Sequence, residues 1–321
     1  MWSEKARPIR IDEIVGQTTL VNDVKSWLVQ GWPSALLLVG PYGTGKTSTA
    51  RVIAREMLGE DFNEFNYVEI NGSDDRGIDF IRNDLKTLLR TKPIGVERKV
   101  VLIDEADGLT PAAQDAAKQL METYASNALV IMTGNELEKI RPAIRSRCRT
   151  YTFKPVGKIE GAARLWDVLC LVGVSEDVKS GWSNDLPNLV EIMSGDLRAS
   201  LNLLESLPRN KEALTERLKD ITAIKSDDFA MLAIEGKWMK IRSNLHELLD
   251  SGVPLRSVMS SFYRDIRGMF NASITDTTLF DIMCAYGDVM LNIYTWPQGD
   301  HAFCDYMVAS MRKEVRNNER N

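Results

Sequence analysis

The run Gly40-Pro41-Tyr42-Gly43-Thr44-Gly45-Lys46-Thr47 constrains this chain more than any other stretch. It fits G-x-x-x-x-G-K-[ST], in which glycines let the backbone curl so that successive N–H groups point at one anion. Context matters as much as the pattern. The apolar run Leu36 to Val39 precedes it and a helical periodicity from Lys46 to Met57 follows, so a strand, a tight loop and a helix are predicted in that order. A bare glycine-rich turn needs neither the flanking elements nor the Lys-Thr pair. The stretch Gly40, Pro41, Tyr42, Gly43, Thr44, Gly45, Lys46, Thr47 and Ser48 is therefore the predicted binding loop for a nucleoside triphosphate. Lys46 supplies charge to the β and γ oxygens, and the Thr47 hydroxyl serves as a Mg²⁺ ligand.

A second apolar run, Val100 to Ile103, ends in Asp104-Glu105. It is expected to form a central strand beside the first, with Asp104 holding Mg²⁺ and Glu105 polarising the water that attacks the γ-phosphate. Acids at a strand end also serve as helix caps, and only the loop upstream turns this pair into catalytic candidates. A third run, Leu129 to Thr133, leads to Asn135, which would hydrogen-bond the attacking water or the γ-phosphate; an Asn after Gly134 is more often a turn residue than such a sensor. The expected cofactors are ATP and Mg²⁺.

Short β-branched runs at Tyr67 to Ile70, Val100 to Ile103 and Leu129 to Thr133 alternate with helical stretches at Gly77 to Arg90 and Pro111 to Tyr124. That alternation predicts an α/β fold with a parallel sheet covered on both faces. After Phe153-Lys154-Pro155 strand signals stop and amphipathic helices take over, which suggests a core over 1–156 and helical domains over 157–210 and 211–321. The charged stretch Arg312 to Asn321 is expected to fray. With 321 residues and a net charge of −5, the chain has no global basic footprint, so any DNA contact must be local. Cys148, Cys170, Cys284 and Cys304 form no C-x-x-C pair and do not cluster with His246 or His301, which argues against zinc and disulfides. No secretory leader and no apolar stretch of ~18 residues is visible, so a cytoplasmic protein without a membrane span is expected.

Three further segments narrow the class. Trp2-Ser3-Glu4-Lys5-Ala6-Arg7-Pro8 with Ile14-Val15-Gly16-Gln17, the segment Asn71-Gly72-Ser73-Asp74-Asp75-Arg76-Gly77-Ile78-Asp79, and Ser146-Arg147-Cys148 resemble, in order and spacing over about residues 1 to 205, the small subunits of replication factor C. The resemblance implies an AAA+ P-loop NTPase core with a parallel sheet, followed by a helical lid and a C-terminal all-helical collar. It implies an ATPase subunit of a sliding-clamp loader, whose partners are other loader subunits in a ring or spiral (a pentamer), a ring-shaped sliding clamp and primer–template DNA. Its place is then the nucleoid or another site of DNA replication, or the host cytoplasm if viral.

By the same resemblance Arg147 is an arginine finger acting in trans on the γ-phosphate of the neighbouring subunit. Arg198, in Gly195-Asp196-Leu197-Arg198, senses the γ-phosphate, and Arg7 and Val15 lie near the adenine; Asp107 and Gln114 are secondary members. Arg76, Arg82 and Lys86 are candidate contacts to DNA phosphates, with Arg82 and Lys86 four apart on one helix face. A solvated basic face is the plain alternative for Arg141, Arg145, Arg147 and Arg149. Lys118-Gln119 departs from the family's two adjacent arginines, and Ala6 from its tyrosine. Another AAA+ DNA machine, such as a branch-migration motor or an initiator, would share the phosphate loop but not the Trp2-to-Pro8 and Ser-Arg-Cys boxes. A non-hydrolysing scaffold subunit would not need Lys46, Thr47, Asp104 and Glu105 intact.

Overall fold

Five strands, β1 (Ala35–Val39), β2 (Tyr67–Asn71), β3 (Lys99–Asp104), β4 (Ala128–Gly134) and β5 (Arg149–Thr152), pair in parallel in the order β2-β3-β4-β1-β5. The computed structural model describes residues 1–73, 81–226, 229–271, 277–290 and 299–318. Every residue of β1 and β4 is buried, as the unbroken apolar runs require of strands covered on both faces. Alternate side chains divide between two cores. Leu36, Leu38, Val100, Leu102, Leu129 and Ile131 pack with Leu20, Val24 and Trp27 of the helix Thr18–Gln30 and with Ile53 of the helix Lys46–Leu58. On the opposite face Leu37, Val39, Val101, Ile103, Val130 and Met132 meet Ala113, Ala117 and Met121 of the helix Pro111–Thr123.

The strand order corrects one expectation. β3 does not lie beside β1, because β4 is inserted between them, with Val39 in register with Gly134 and Ile103 with Met132. Crossover helices let a later strand enter the middle of a parallel sheet, and no local pattern announces which gap it fills. β5 was not anticipated either. Its residues Arg-Thr-Tyr-Thr carry no apolar run, because an edge strand with exposed positions need not be apolar.

The chain divides into two compact units, Met1–Arg164 with Gly195–Leu197, and Leu165–Ser194 with Arg198–Asn321. In the second unit all the described elements are helices. Their core gathers Phe229, Trp238, Ile241, Phe262, Ile282, Tyr286, Phe303 and Met307. The tail does not fray at Arg312. The helix Asp300–Asn318 runs through it, because Met311 and Val315, four residues apart and thus on one face, are buried in that core.

Candidate nucleotide-binding site

The loop leaves the carboxyl end of β1, where the Gly40 N–H donates to the Gly134 carbonyl at 3.1 Å and ties it to the end of β4. Gly40, Gly43 and Gly45 hold φ of 152°, 71° and 89°, values that a side chain resists. A Cβ on Gly40 would stand 2.3 Å from the Phe153 carbonyl oxygen, and one on Gly43 would meet the Asp196 carboxylate. The Thr44 hydroxyl donates to the Pro41 carbonyl at 2.8 Å and closes the curl. Gly45 is the N-cap of the helix Lys46–Leu58, so the N–H groups of its first turn and its positive dipole end face the loop.

Lys46, 7% exposed, donates from Nζ to the carbonyls of Gly40 and Pro41 and to Asn135 Oδ1, each at 2.8 Å. Its ammonium also lies 5.8 Å from the centre of the Tyr42 ring. The Thr47 hydroxyl donates to Asp104 at 2.8 Å from Oδ1 and 3.1 Å from Oδ2, across the intervening strand. Buried Thr133, near the end of β4, donates its hydroxyl to the same Asp104 Oδ1 and accepts from the Glu105 N–H at 3.1 Å. Glu105 adopts left-handed backbone angles, φ 52° and ψ 44°, and its Oε2 accepts from the Ser73 hydroxyl at 2.6 Å. Asp107 Oδ2 accepts from the N–H groups of Asn135 (2.9 Å) and Glu136 (3.1 Å), fixing the turn that presents Asn135. A buried ammonium, a hydroxyl beside a carboxylate, and a second carboxylate thus converge where β1, β3 and β4 end, the place at which open parallel sheets bind ligands.

Residues 36–156 match the family described as "ATPase family associated with various cellular activities (AAA)". The replication factor C small subunit of Archaeoglobus fulgidus is 33% identical over 298 residues, covering 90% of each chain. That of Sulfurisphaera tokodaii is 33% identical over 274 residues, 84% of this chain and 82% of that one. The chain belongs to the replication factor C small-subunit family. It is accordingly an AAA+ ATPase of the clamp-loader kind. A solved RuvB variant of Thermotoga maritima shares the fold, with a TM-score of 0.52 and 17% identity over 98% of this chain and 91% of that one.

Within this family frame the donor set suits a magnesium triphosphate. Thr47 and Asp104 offer hard oxygens from two elements at one point, and Lys46 is held where polyphosphate charge would be balanced. Ser48 is half-buried in the first turn after the loop. Arg7 is engaged by Glu4 in a two-pronged pair at 2.7 Å, while its Nη1 and Gln17 Nε2 are buried donors with no protein partner. Val15 is half-buried.

Arg198 is exposed in the first turn of the helix Leu197–Ser206 and belongs to the second unit. Arg147 projects from the turn after the short helix Pro142–Arg145 and pairs with Glu122. Arg141 and Arg149 are likewise paired, with Asp115 and Asp23, so this stretch is not a bare basic face. Arg76 lies outside the described residues, as does the side chain of Arg82. Lys86 is exposed at the start of the helix Lys86–Arg90.

Sequence reasoning missed Thr133 and Ser73. The signal for Thr133 was a lone hydroxyl closing an apolar strand. Ser73 stood in plain view in the Asn71-to-Asp79 segment but had no obvious partner until β2 and β3 were paired.

Proposed function

We propose that this subunit binds ATP with Mg²⁺ and couples its hydrolysis to loading a ring-shaped clamp on primer–template DNA, as one member of a pentameric ring or spiral. The carrying observation is the convergence of Lys46, Asn135, Thr47 and Asp104 at the ends of three neighbouring strands. Mg²⁺, held by Thr47 and Asp104, would supply charge neutralisation at the β and γ oxygens. Lys46 adds a point charge, Glu105 orients the attacking water, and Asn135 reads the γ-phosphate. Arg7 and Val15 border the adenine, and the rest of the loop from Gly40 to Ser48 wraps the phosphates.

ATP binding closes the spiral and opens the clamp. Hydrolysis releases the clamp, because loss of the γ-phosphate removes the contacts from Lys46, Asn135, Arg198 and a neighbour's Arg147 together. In this scheme residues 157–210 act as a lid and 211–321 as an oligomerising collar. Arg76, Arg82 and Lys86 grip DNA phosphates without reading bases. The complex works in the cytoplasm, at the site of DNA replication.

The test is turnover of the assembled complex with and without clamp and primed DNA. Stimulation by both is expected; stimulation by branched junctions alone would point to a motor instead, and inert protein to a scaffold. Arg147→Ala should leave ATP binding intact and reduce turnover by ~10³-fold or more, the scale of a finger supplied in trans. Undiminished turnover rejects the finger.

A further inference from the structure

The Arg147 side chain is 39% exposed, yet it is not loose. Its Nε pairs with Glu122 near the end of the helix Pro111–Thr123, and its Nη1 donates to the Ala143 carbonyl at 3.2 Å and the Ser146 hydroxyl at 3.1 Å. None of these three contacts uses Nη2. A guanidinium has five N–H donors in a rigid plane, so holding Nε and Nη1 fixes that plane and leaves the Nη2 donors to meet a planar or tetrahedral anion. The grip is repeated one step upstream, where Arg141 Nε pairs with Asp115 Oδ1 at 2.9 Å. Asp115 and Glu122 are seven residues apart, two helical turns, and so stand on one face of that helix.

The same helix is bolted to the finger segment from its buried end. Gln114 Nε2 donates to the carbonyls of Leu109 (3.1 Å) and Lys139 (3.0 Å), and its Oε1 accepts from the Arg141 N–H at 2.9 Å.

We infer that Glu122 is a positioning residue for Arg147: it pre-sets the guanidinium that each subunit offers to its neighbour's γ-phosphate. This rests on the reading of Arg147 as a finger in trans. An exposed ion pair contributes little to stability, so its worth lies in orientation. An arginine already confined to one arrangement has less freedom to lose when it meets the phosphate, and immobilising a rotamer-rich side chain at that moment costs a factor of about 2 to 10. The carboxylate of Glu122 touches no reacting atom.

The test uses the assembled complex and measures kcat, KM for ATP and binding of a fluorescent ATP analogue. Glu122→Gln, which keeps the shape and removes the charge, should lower kcat about 2- to 10-fold with KM and nucleotide binding unchanged, and Glu122→Asp should recover part of the loss. Because the pair is exposed, raising salt should bring wild-type kcat toward that of Glu122→Gln while moving the variant less. In an Arg147→Lys background, whose residual turnover no longer depends on a guanidinium, Glu122→Gln should have no further effect. Unchanged kcat in Glu122→Gln, alongside turnover lost in Arg147→Ala, overturns the positioning role and leaves the finger standing. An equal loss in the Arg147→Lys background assigns Glu122 to helix structure and overturns it as well. Full turnover in Arg147→Ala removes the finger and this inference with it.

Discussion

Adding one methyl group at each of two loop glycines separates backbone conformation from steric contact. Gly45 has φ 89° and nothing within 4 Å of its would-be Cβ, so Gly45→Ala bears only the left-handed penalty, about 1–2 kcal/mol. Gly40 has φ 152°, and its would-be Cβ lies 2.3 Å from the Phe153 oxygen and 2.9 Å from the Phe153 Cβ. Phe153 cannot retreat easily: it is 1% exposed, and its N–H donates to the Val39 carbonyl at 2.6 Å, continuing the β1–β5 ladder.

Gly40→Ala therefore adds an over-packing cost of about 1–3 kcal/mol to a backbone cost of about 1–3 kcal/mol, for roughly 2–6 kcal/mol. Against a typical total of ~5–15 kcal/mol that is a large share. Thermal and urea unfolding followed by circular dichroism, without nucleotide, should rank wild type above Gly45→Ala and Gly45→Ala above Gly40→Ala. Each kcal/mol should lower the midpoint by about 2–4 °C for a unit of this size. Equal destabilisation by the two variants, or a milder effect at Gly40, refutes the idea that the approach of Phe153 is what demands glycine there.

Asn66 is fully buried, donating to the carbonyls of Asp61 (3.2 Å) and Ile94 (2.8 Å) and accepting from the Ile94 N–H (2.9 Å); Asn66→Ala should cost about 2–4 kcal/mol in urea titrations, and a loss under 1 kcal/mol would contradict that account. Arg242 chiefly, and His246 with it, hold the Asp305 carboxyl below the usual aspartate range. Its stabilising contribution is complete above the ordinary value of ~3.9 and drains away as pH falls through the lowered one. Asp305→Asn should accordingly flatten the acid limb of the stability profile below about pH 4, and parallel profiles would exclude the linkage. Burial pushes the thiols of Cys148 and Cys304 up to about 12, whereas Cys170 and Cys284 are exposed. N-ethylmaleimide at pH 8 should modify the exposed pair first, as resolved by peptide mass spectrometry, and early labelling of Cys148 would count against its burial.

What could be read from sequence was local. The glycines at 40, 43 and 45, the Lys46-Thr47 pair and the acids after Ile103 each state their geometry within a few residues, because positive φ, strand periodicity and helix starts are short-range properties. Those same residues do come together: Lys46 reaches Asn135, and Thr47 reaches Asp104. The small-subunit boxes likewise carried the family membership.

The three-dimensional structure decided what depends on distant partners. β4 entered between β1 and β3, an outcome of helix packing on both faces rather than of any strand's own residues. That placement brought the Thr133 hydroxyl under Asp104 and, with β2 beside β3, the Ser73 hydroxyl onto Glu105. β5 formed from an unremarkable Arg-Thr-Tyr-Thr because an edge strand needs one paired side and little apolar surface, and the final helix held through Asn318 because Met311 and Val315 found a core contributed by other helices. The sequence by itself determined the glycine-rich loop after β1, since its shape resides in consecutive backbone angles; the partners of each candidate catalytic group were settled only by tertiary packing, since contacts between residues 30 to 90 positions apart exist only once the sheet has closed.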